Sequence, residues 1–312
     1  MKGLSCWNNR TLSDLQAAVS YFNQAIEKDP GYSLAYEALA DAYAVLPDYG
    51  GNPSEDVPKS NAAARRALEL DATLARPHAA MGYTKFRHGW DFAGGEAEFK
   101  RALALDPDDA LIHAWYAENI GTIGGREQEA LAESNRARQL DPFSPVTGFD
   151  IGSILIAARR YGEAIDMCKN LADENPEFAL AHLCLSEAYW AKGMYAASVE
   201  EWKVESHLSG DPNDSELASA MDEGFRSAGL KGALRKAIEV SLAQRKAGNA
   251  SAYTIAALYA GLEDKDQAFA WLNTALAEHD QELLGLRTDP SLDPIHSDPR
   301  FAELVRKIGL PH

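Results

Sequence analysis

Three histidines recur along the chain in similar surroundings: His78 in "RPHAAMGY", His113 in "LIHAWYAE" and His182 in "LAHLCLSE". Imidazole is a common metal ligand and the usual proton carrier near neutral pH, so these residues are the first place to look for chemistry. A zinc-type site needs several donors converging at about 2.0–2.1 Å. No H-E-x-x-H pair, C-x-x-C or EF-hand loop supplies a second ligand. The three cysteines, Cys6, Cys168 and Cys184, leave one unpaired in any disulfide scheme. They read as reduced thiols, with Cys168 and Cys184 as small apolar core residues that could be neighbours. The chain has no G-x-S-x-G elbow, P-loop, glycine-rich kinase loop, H-R-D or D-F-G, so nucleophilic and phosphate-cradling chemistry lacks its usual frame. Carboxylates are abundant without forming a distinctive pair. The expectation is a protein with no catalytic residue, no metal and no cofactor, and not an enzyme.

The 312 residues carry 47 acidic and 30 basic side chains, a formal charge of −17, with 46% hydrophobic residues. That hydrophobic share is ample for a core. The acidic surface repels phosphate backbones and anionic lipid and favours cationic partners. No apolar run approaches the length of a membrane helix, and "MKGLSCWNNRTLSD" has no apolar signal-peptide core. A cytoplasmic protein is expected.

The elements follow from a second recurrence. In "LQAAVSYFNQAIEKDP", Ala18, Phe22 and Ala25 share one helical face, and Pro30 ends the helix because it lacks the amide donor. The same face returns as Phe99, Ala102, Pro107; as Ala130, Ser134, Ala137, Pro142; as Ala164, Cys168, Leu171, Pro176; and as Ala268, Leu272, Ala275. The first small residue of each unit falls at Ala18, Ser60, Gly95, Ala130, Ala164, Ser198, Ala233 and Ala268. After one longer step the spacing is 34 or 35 residues throughout. Another helix precedes most of these, as in "YEALADAY", "HAAMGYTK", "HAWYAENI", "GFDIGSIL", "HLCLSEAY" and "AYTIAALY". It carries a loose aromatic-x-x-large-small-x-x-aromatic pattern.

This periodicity resembles the tetratricopeptide repeat family, whose pattern is W-x-x-L-G-x-x-Y, then A-x-x-x-F, then P, over 34 residues. The resemblance covers about residues 12 to 278. It implies an all-α, right-handed solenoid (superhelix) of about seven to eight helical hairpins, each covering the apolar face its neighbour leaves wet. The array is expected over residues 1–280, with an insertion at 46–58 that reads as a passive linker rather than a contact element, an irregular seventh unit and a first unit without a convincing first helix. Residues 281–312 are expected to form a capping segment, its last helix opening at Asp298-Pro299 and burying Phe301, Leu304, Val305 and Ile308. Across stacked hairpins, His78, His113 and His182 fill the same slot about 10 Å apart, too far for one metal. More narrowly, the stretch from "WNNRTLSD" to "DAYAVL" and the tail "DPIHSDPRFAELVRKIGLP" look like the C-terminal repeat region of bacterial signalling proteins, in which the repeats follow a kinase, cyclase or winged-helix domain.

The resemblance implies ligand binding along the first helices of the hairpins. Carried onto this sequence, it points to Glu37, Asp41, Arg76, Tyr83, Glu118, Phe149, Ile156, Leu183, Glu187, Trp190 and Tyr253 as a partner-binding groove. Glu37, Asp41, Glu118 and Glu187 make that groove acidic, and Phe149, Ile156, Leu183 and Trp190 give it an apolar floor. The slots that grip a peptide carboxylate in chaperone-binding members hold Glu, Ala, Phe and Leu here, so that clamp is not expected. The implied function is a non-catalytic scaffold or sensor for a protein or peptide, basic or amphipathic, with no nucleic acid and no membrane as partner. An incomplete first unit leaves an end through which two copies could pair. Helical-hairpin repeats that read RNA are the alternative, disfavoured by the charge; an enzyme accessory subunit is a weaker one.

Overall fold

A computed structural model describes residues 2–311. Among them every regular element is helical. By contact the chain divides into two units, residues 1–119 and 120–312. This boundary is one that the reading of a single array over 1–280 does not contain.

The first unit holds α1 (Lys2–Asn9), α2 (Leu12–Lys28), α3 (Ser33–Val45), a 3-10 turn (Leu46–Tyr49), α4 (Pro53–Leu70), α5 (Arg76–Arg87), α6 (Phe92–Leu105) and most of α7 (Ala110–Ile123). They pack as antiparallel pairs, α1 with α2, α3 with α4 and α5 with α6. The first pair is short, but it supplies the first helix that the sequence pattern did not show. The second unit holds α8 (Glu127–Leu140), α9 (Pro145–Ala157), α10 (Tyr161–Glu174), α11 (Ala179–Ala191), α12 (Tyr195–Ser209), α13 (Pro212–Lys246), α14 (Ala252–Gly261) and α15 (Lys265–Ala277). Two 3-10 turns (Gln281–Gly285 and Pro290–Ile295) and α16 (Pro299–Ile308) complete it.

All eight small marker residues, from Ala18 to Ala268, are buried. They sit where one helix of a pair crosses the other, and a larger side chain would hold the helices apart. The third pair shows the limit: a Cβ on Gly82 would lie 3.0 Å from the Gly95 carbonyl oxygen, and one on Gly95 2.9 Å from that of Gly82. The helices touch backbone to backbone there. Phe99, Leu272 and Cys168 fill the large slot of their units and are fully buried. A buried Phe or Leu contributes about 1.5–3 kcal/mol, so each pair is held by several modest contacts.

The turns between pairs reuse one device. At Asp29, Asp71, Asp106 and Asp141 the helix ends with the backbone N–H still bonded to the carbonyl four residues back. The aspartate side chain then accepts the N–H two residues on, at 3.0–3.3 Å. Three of the four precede proline, which forces the chain out of the helix.

Two expectations are corrected and one is filled in. Cys168 and Cys184 form a disulfide between α10 and α11, with Cα atoms 5.5 Å apart; the third cysteine, Cys6, is free. Reading all three as reduced thiols fails because one residue from each helix of the crossing points into the same core. The long loop at 46–58 is not a passive linker. Its first part is the 3-10 turn with Leu46 and Pro47 buried, and its second part opens α4 with Asn52 capping Ser54. The irregular seventh unit is α13, a helix broken at Ala228 and Gly229, where Gly229 has a φ of 62°. Its two halves fold back so tightly that Gly224 and Gly232 meet through their backbones. The last helix, α16, begins as expected, Asp298 accepting the Arg300 N–H at 3.0 Å and Phe301, Leu304 and Ile308 buried.

Candidate functional site

In the first unit Glu37, Asp41 and Arg76 come together at one end of a cavity of about 480 Å³ between α1, α2, α3 and α5. Asp41 is only 4% exposed, and its Oδ1 has no hydrogen-bond partner. Burial pushes its carboxyl well above the usual range, against the pull of Arg76. Glu37 is raised to about 7, chiefly by burial, with Arg76 opposing. Arg76 itself is committed, its Nε donating to Asp109 Oδ2 at 2.6 Å. The same cavity is also lined by Leu4, Tyr21, Tyr32 and Leu34, all substantially exposed.

Tyr83 and Glu118, from the same predicted groove, do not line this cavity and belong to a neighbouring network. The Tyr83 hydroxyl donates to Asp48 Oδ2 at 2.6 Å, and Arg87 Nη1 donates to Glu118 Oε1 at 2.7 Å. Arg87 also lies 3.5 Å from Asp48. Burial raises the Tyr83 hydroxyl well above its ordinary value. Asp48 comes from the inserted 3-10 turn, so the insertion occupies these side chains and closes part of the expected groove. Tyr83 also packs on Trp115 at 5.0 Å, which in turn meets Trp7 edge-on at 6.2 Å.

In the second unit the chain's own residues 281–295 lie against α14, the end of α7 and the turn after α9. The Tyr253 hydroxyl donates to Asp289 Oδ2 at 2.9 Å and Ser251 Oγ to Glu282 Oε2 at 2.8 Å, both at the start of α14. Thr288 Oγ1 donates to the carbonyl of Thr122 in α7 at 2.8 Å. Arg159, just past α9, donates to Asp293 Oδ1 at 2.6 Å. Leu283, Leu284, Leu286, Leu292 and Ile295 are essentially fully buried. Glu187 of α11 keeps open surface, yet enough protein surrounds it that burial raises its carboxyl to about 7, helped by Asp289 and Glu205. Glu282 behaves alike: exposed by area, raised to about 7 by its surroundings and by Asp280.

The tetratricopeptide repeat family model matches residues 10–53 and 149–202. Those two stretches carry tetratricopeptide repeats. No curated protein matches the sequence. Solved tetratricopeptide-like folds do: the human IFIT1 dimer with m7Gppp-AAAA is 19% identical over 95% of this chain and 67% of its own, with a TM-score of 0.61. Yeast Tom70 is 15% identical over 98% of this chain and 66% of its own, at 0.51. PilW, a type IV pilus biogenesis factor, is 19% identical over 69% and 92%, at 0.52. At such identities the likeness is one of fold.

In repeat terms, the remaining predicted residues split. Phe149 and Ile156 pack on the cluster of Ile151, Leu155 and the disulfide, Ile156 being buried within it. Trp190 packs on a different cluster, with Val199, Leu217 and Met221, and lies 5.0 Å from Tyr195. Leu183 is half-buried. The histidine slot proves to be a suture between helices. His78 Nδ1 pairs with Glu98 of α6 at 2.8 Å, and His182 Nδ1 with Glu201 of α12 at 2.8 Å. His113 and His182 each reach back to a proline carbonyl in the preceding turn, Pro107 at 2.9 Å and Pro176 at 3.2 Å. Sequence reasoning missed Asp48, Glu282, Thr288, Asp289 and Asp293. All lie outside the periodic helices, so no spacing rule could have placed them on a helix face.

Proposed function

We propose that the chain is a non-catalytic docking module whose first helices hold segments of other polypeptides. Residues 281–295 carry this reading. They lie on α7, α9 and α14 as a docked segment would, with apolar anchors buried and polar side chains paired to the helices. A surface able to hold that segment has the pockets and donors to hold another. The charge of −17 and the carboxyls at Glu37, Asp41, Glu118 and Glu187 favour a basic or amphipathic partner. Nucleic acid suits this surface poorly. A bacterial signalling role rests on the narrower sequence resemblance, a cytoplasmic setting on the lack of an apolar signal core or membrane-length run in the given sequence, and pairing of two copies is a matter for light scattering.

The test is a peptide array probed with the whole chain, followed by calorimetry on the segments retained. A docking module keeps a restricted set enriched in basic and apolar residues, and Glu187→Lys changes which ones. Retention without sequence preference, indifferent to Glu187→Lys and Trp190→Ala, removes the reading.

A further inference from the structure

The cavity of the first unit holds no part of the described chain that corresponds to residues 281–295 in the second. Its lining combines the polar side chains Glu37, Asp41 and Arg76 with exposed apolar ones. We infer that it receives a lysine or arginine side chain from a partner segment, whose flanking apolar residues cover Tyr32 and Leu34. This rests on the docking reading above and gives it a site and a ligand class.

Three observations carry it. Asp41 is a buried carboxyl with an oxygen that bonds nothing, and it lines the cavity. A buried acceptor left without a donor costs free energy, and a cationic N–H supplied from outside removes that cost. Second, Glu37, Asp41 and Asp109 all face Arg76, with Arg10 as a further cation acting on Asp41, and Arg76 Nε is already spent on Asp109. Third, Leu34 is 49%, Tyr32 46% and Leu4 51% exposed around the same opening. Side chains of this kind gathered at one mouth mark an interaction site. Lys2 and Lys28 also line the cavity and are exposed, whereas Asp41 is buried and keeps an unpaired oxygen. The volume, about 480 Å³, is within the range of sites that enclose a compact group.

Glu37 titrates near 7. It is faced by Asp41 on its own helix, Arg76 on α5, Asp71 at the end of α4, and Asp106 and Asp109 after α6. As pH rises through 7 its carboxyl gains charge, so binding of a cation tightens.

The experiment uses the whole chain and fluorescein-labelled peptides with one arginine between leucine and phenylalanine residues. Matched peptides carry citrulline, the neutral near-isostere, in its place. The arginine peptide is expected to bind about tenfold or more tightly than its citrulline partner, the size of one charged hydrogen bond. Asp41→Asn abolishes that difference. Leu34→Ala weakens both peptides alike, and the arginine preference grows from pH 6 to pH 8. If Asp41→Asn fails to fold by circular dichroism, Glu37→Gln gives the same readout, as a reduced preference that no longer grows with pH. Equal binding of the two peptides overturns the inference. So does binding that ignores Asp41→Asn and Leu34→Ala but falls with Trp190→Ala, which leaves the docking reading standing on the second unit. No binding of either peptide overturns the inference, while the docking reading is then judged on the peptide array.

Discussion

The two units solve the same problem differently. Each exposes the first helices of its hairpins, and each has an irregular segment that comes to lie on them. In the second unit that segment is residues 281–295, long enough to bury five apolar side chains and bond to three helix regions. In the first it is a single 3-10 turn, Leu46–Tyr49, that engages Tyr83 and Arg87 and leaves the end near Asp41 open. The difference teaches that a repeat surface is read by what covers it. The slots are periodic, but their availability is set by connections that are not.

Core substitutions test first whether the units are separate in stability. Phe99 and Phe269 are both fully buried, one in each unit. Phe→Ala at either should cost about 3–5 kcal/mol. Calorimetry should show Phe99→Ala lowering one transition and Phe269→Ala another; a single transition shifted equally by both would merge the units. Next in size is the disulfide, which is confined to the second unit. It closes a loop of 16 residues, so reduction, or Cys168→Ala with Cys184→Ala, should cost about 3 kcal/mol in that unit's transition alone. A thiol count on the unreduced, unfolded chain should find only Cys6 reactive.

The covering segment can be loosened selectively. Tyr253→Phe removes the donor to Asp289 and should cost about 1.5–3 kcal/mol, the range for a hydrogen bond to a charged group. Hydrogen exchange should rise in residues 281–295 and stay unchanged in α5 and α6. Acidity acts on the same contact. Glu187 and Glu282 titrate near 7 against about 4.3 in an unfolded chain. The folded state therefore holds their protons more tightly. Their contribution is fully favourable below the unfolded value and is lost as pH rises through 7. Exchange protection of residues 281–295 should fall between pH 5 and pH 8, after correction for intrinsic rates, and Glu282→Gln should flatten the fall. The smallest effect is expected for Arg159→Gln. Its partner Asp293 is about half exposed, and such surface pairs contribute about 0–1 kcal/mol; a larger loss would make Arg159 a principal anchor of the segment.

Much of the fold was legible in advance because its signals are local. A small residue, after one longer step every 34 or 35 positions, marks the helix crossings, and Asp-Pro marks several of the turns, so most of the hairpins, their phase and the start of α16 followed from spacing. The candidate site was legible only in part. Glu37, Asp41 and Arg76 were drawn to one place because they occupy neighbouring slots on α3 and α5. Phe149 and Trp190 occupy equally regular slots, yet they pack on separate clusters, since a slot fixes a direction and not a neighbour.

By itself the sequence determined the helices and their pairing, since both depend on residues a few turns apart whose faces must match. Only the tertiary structure decided which faces stay open. Thr288 meets Thr122 across 166 residues of sequence, and Cys168 meets Cys184 because two crossing helices point them into one core. The first of these contacts depends on the accumulated geometry of the hairpins between its partners. That geometry is a sum of many small packing angles, which no short pattern of residue types records.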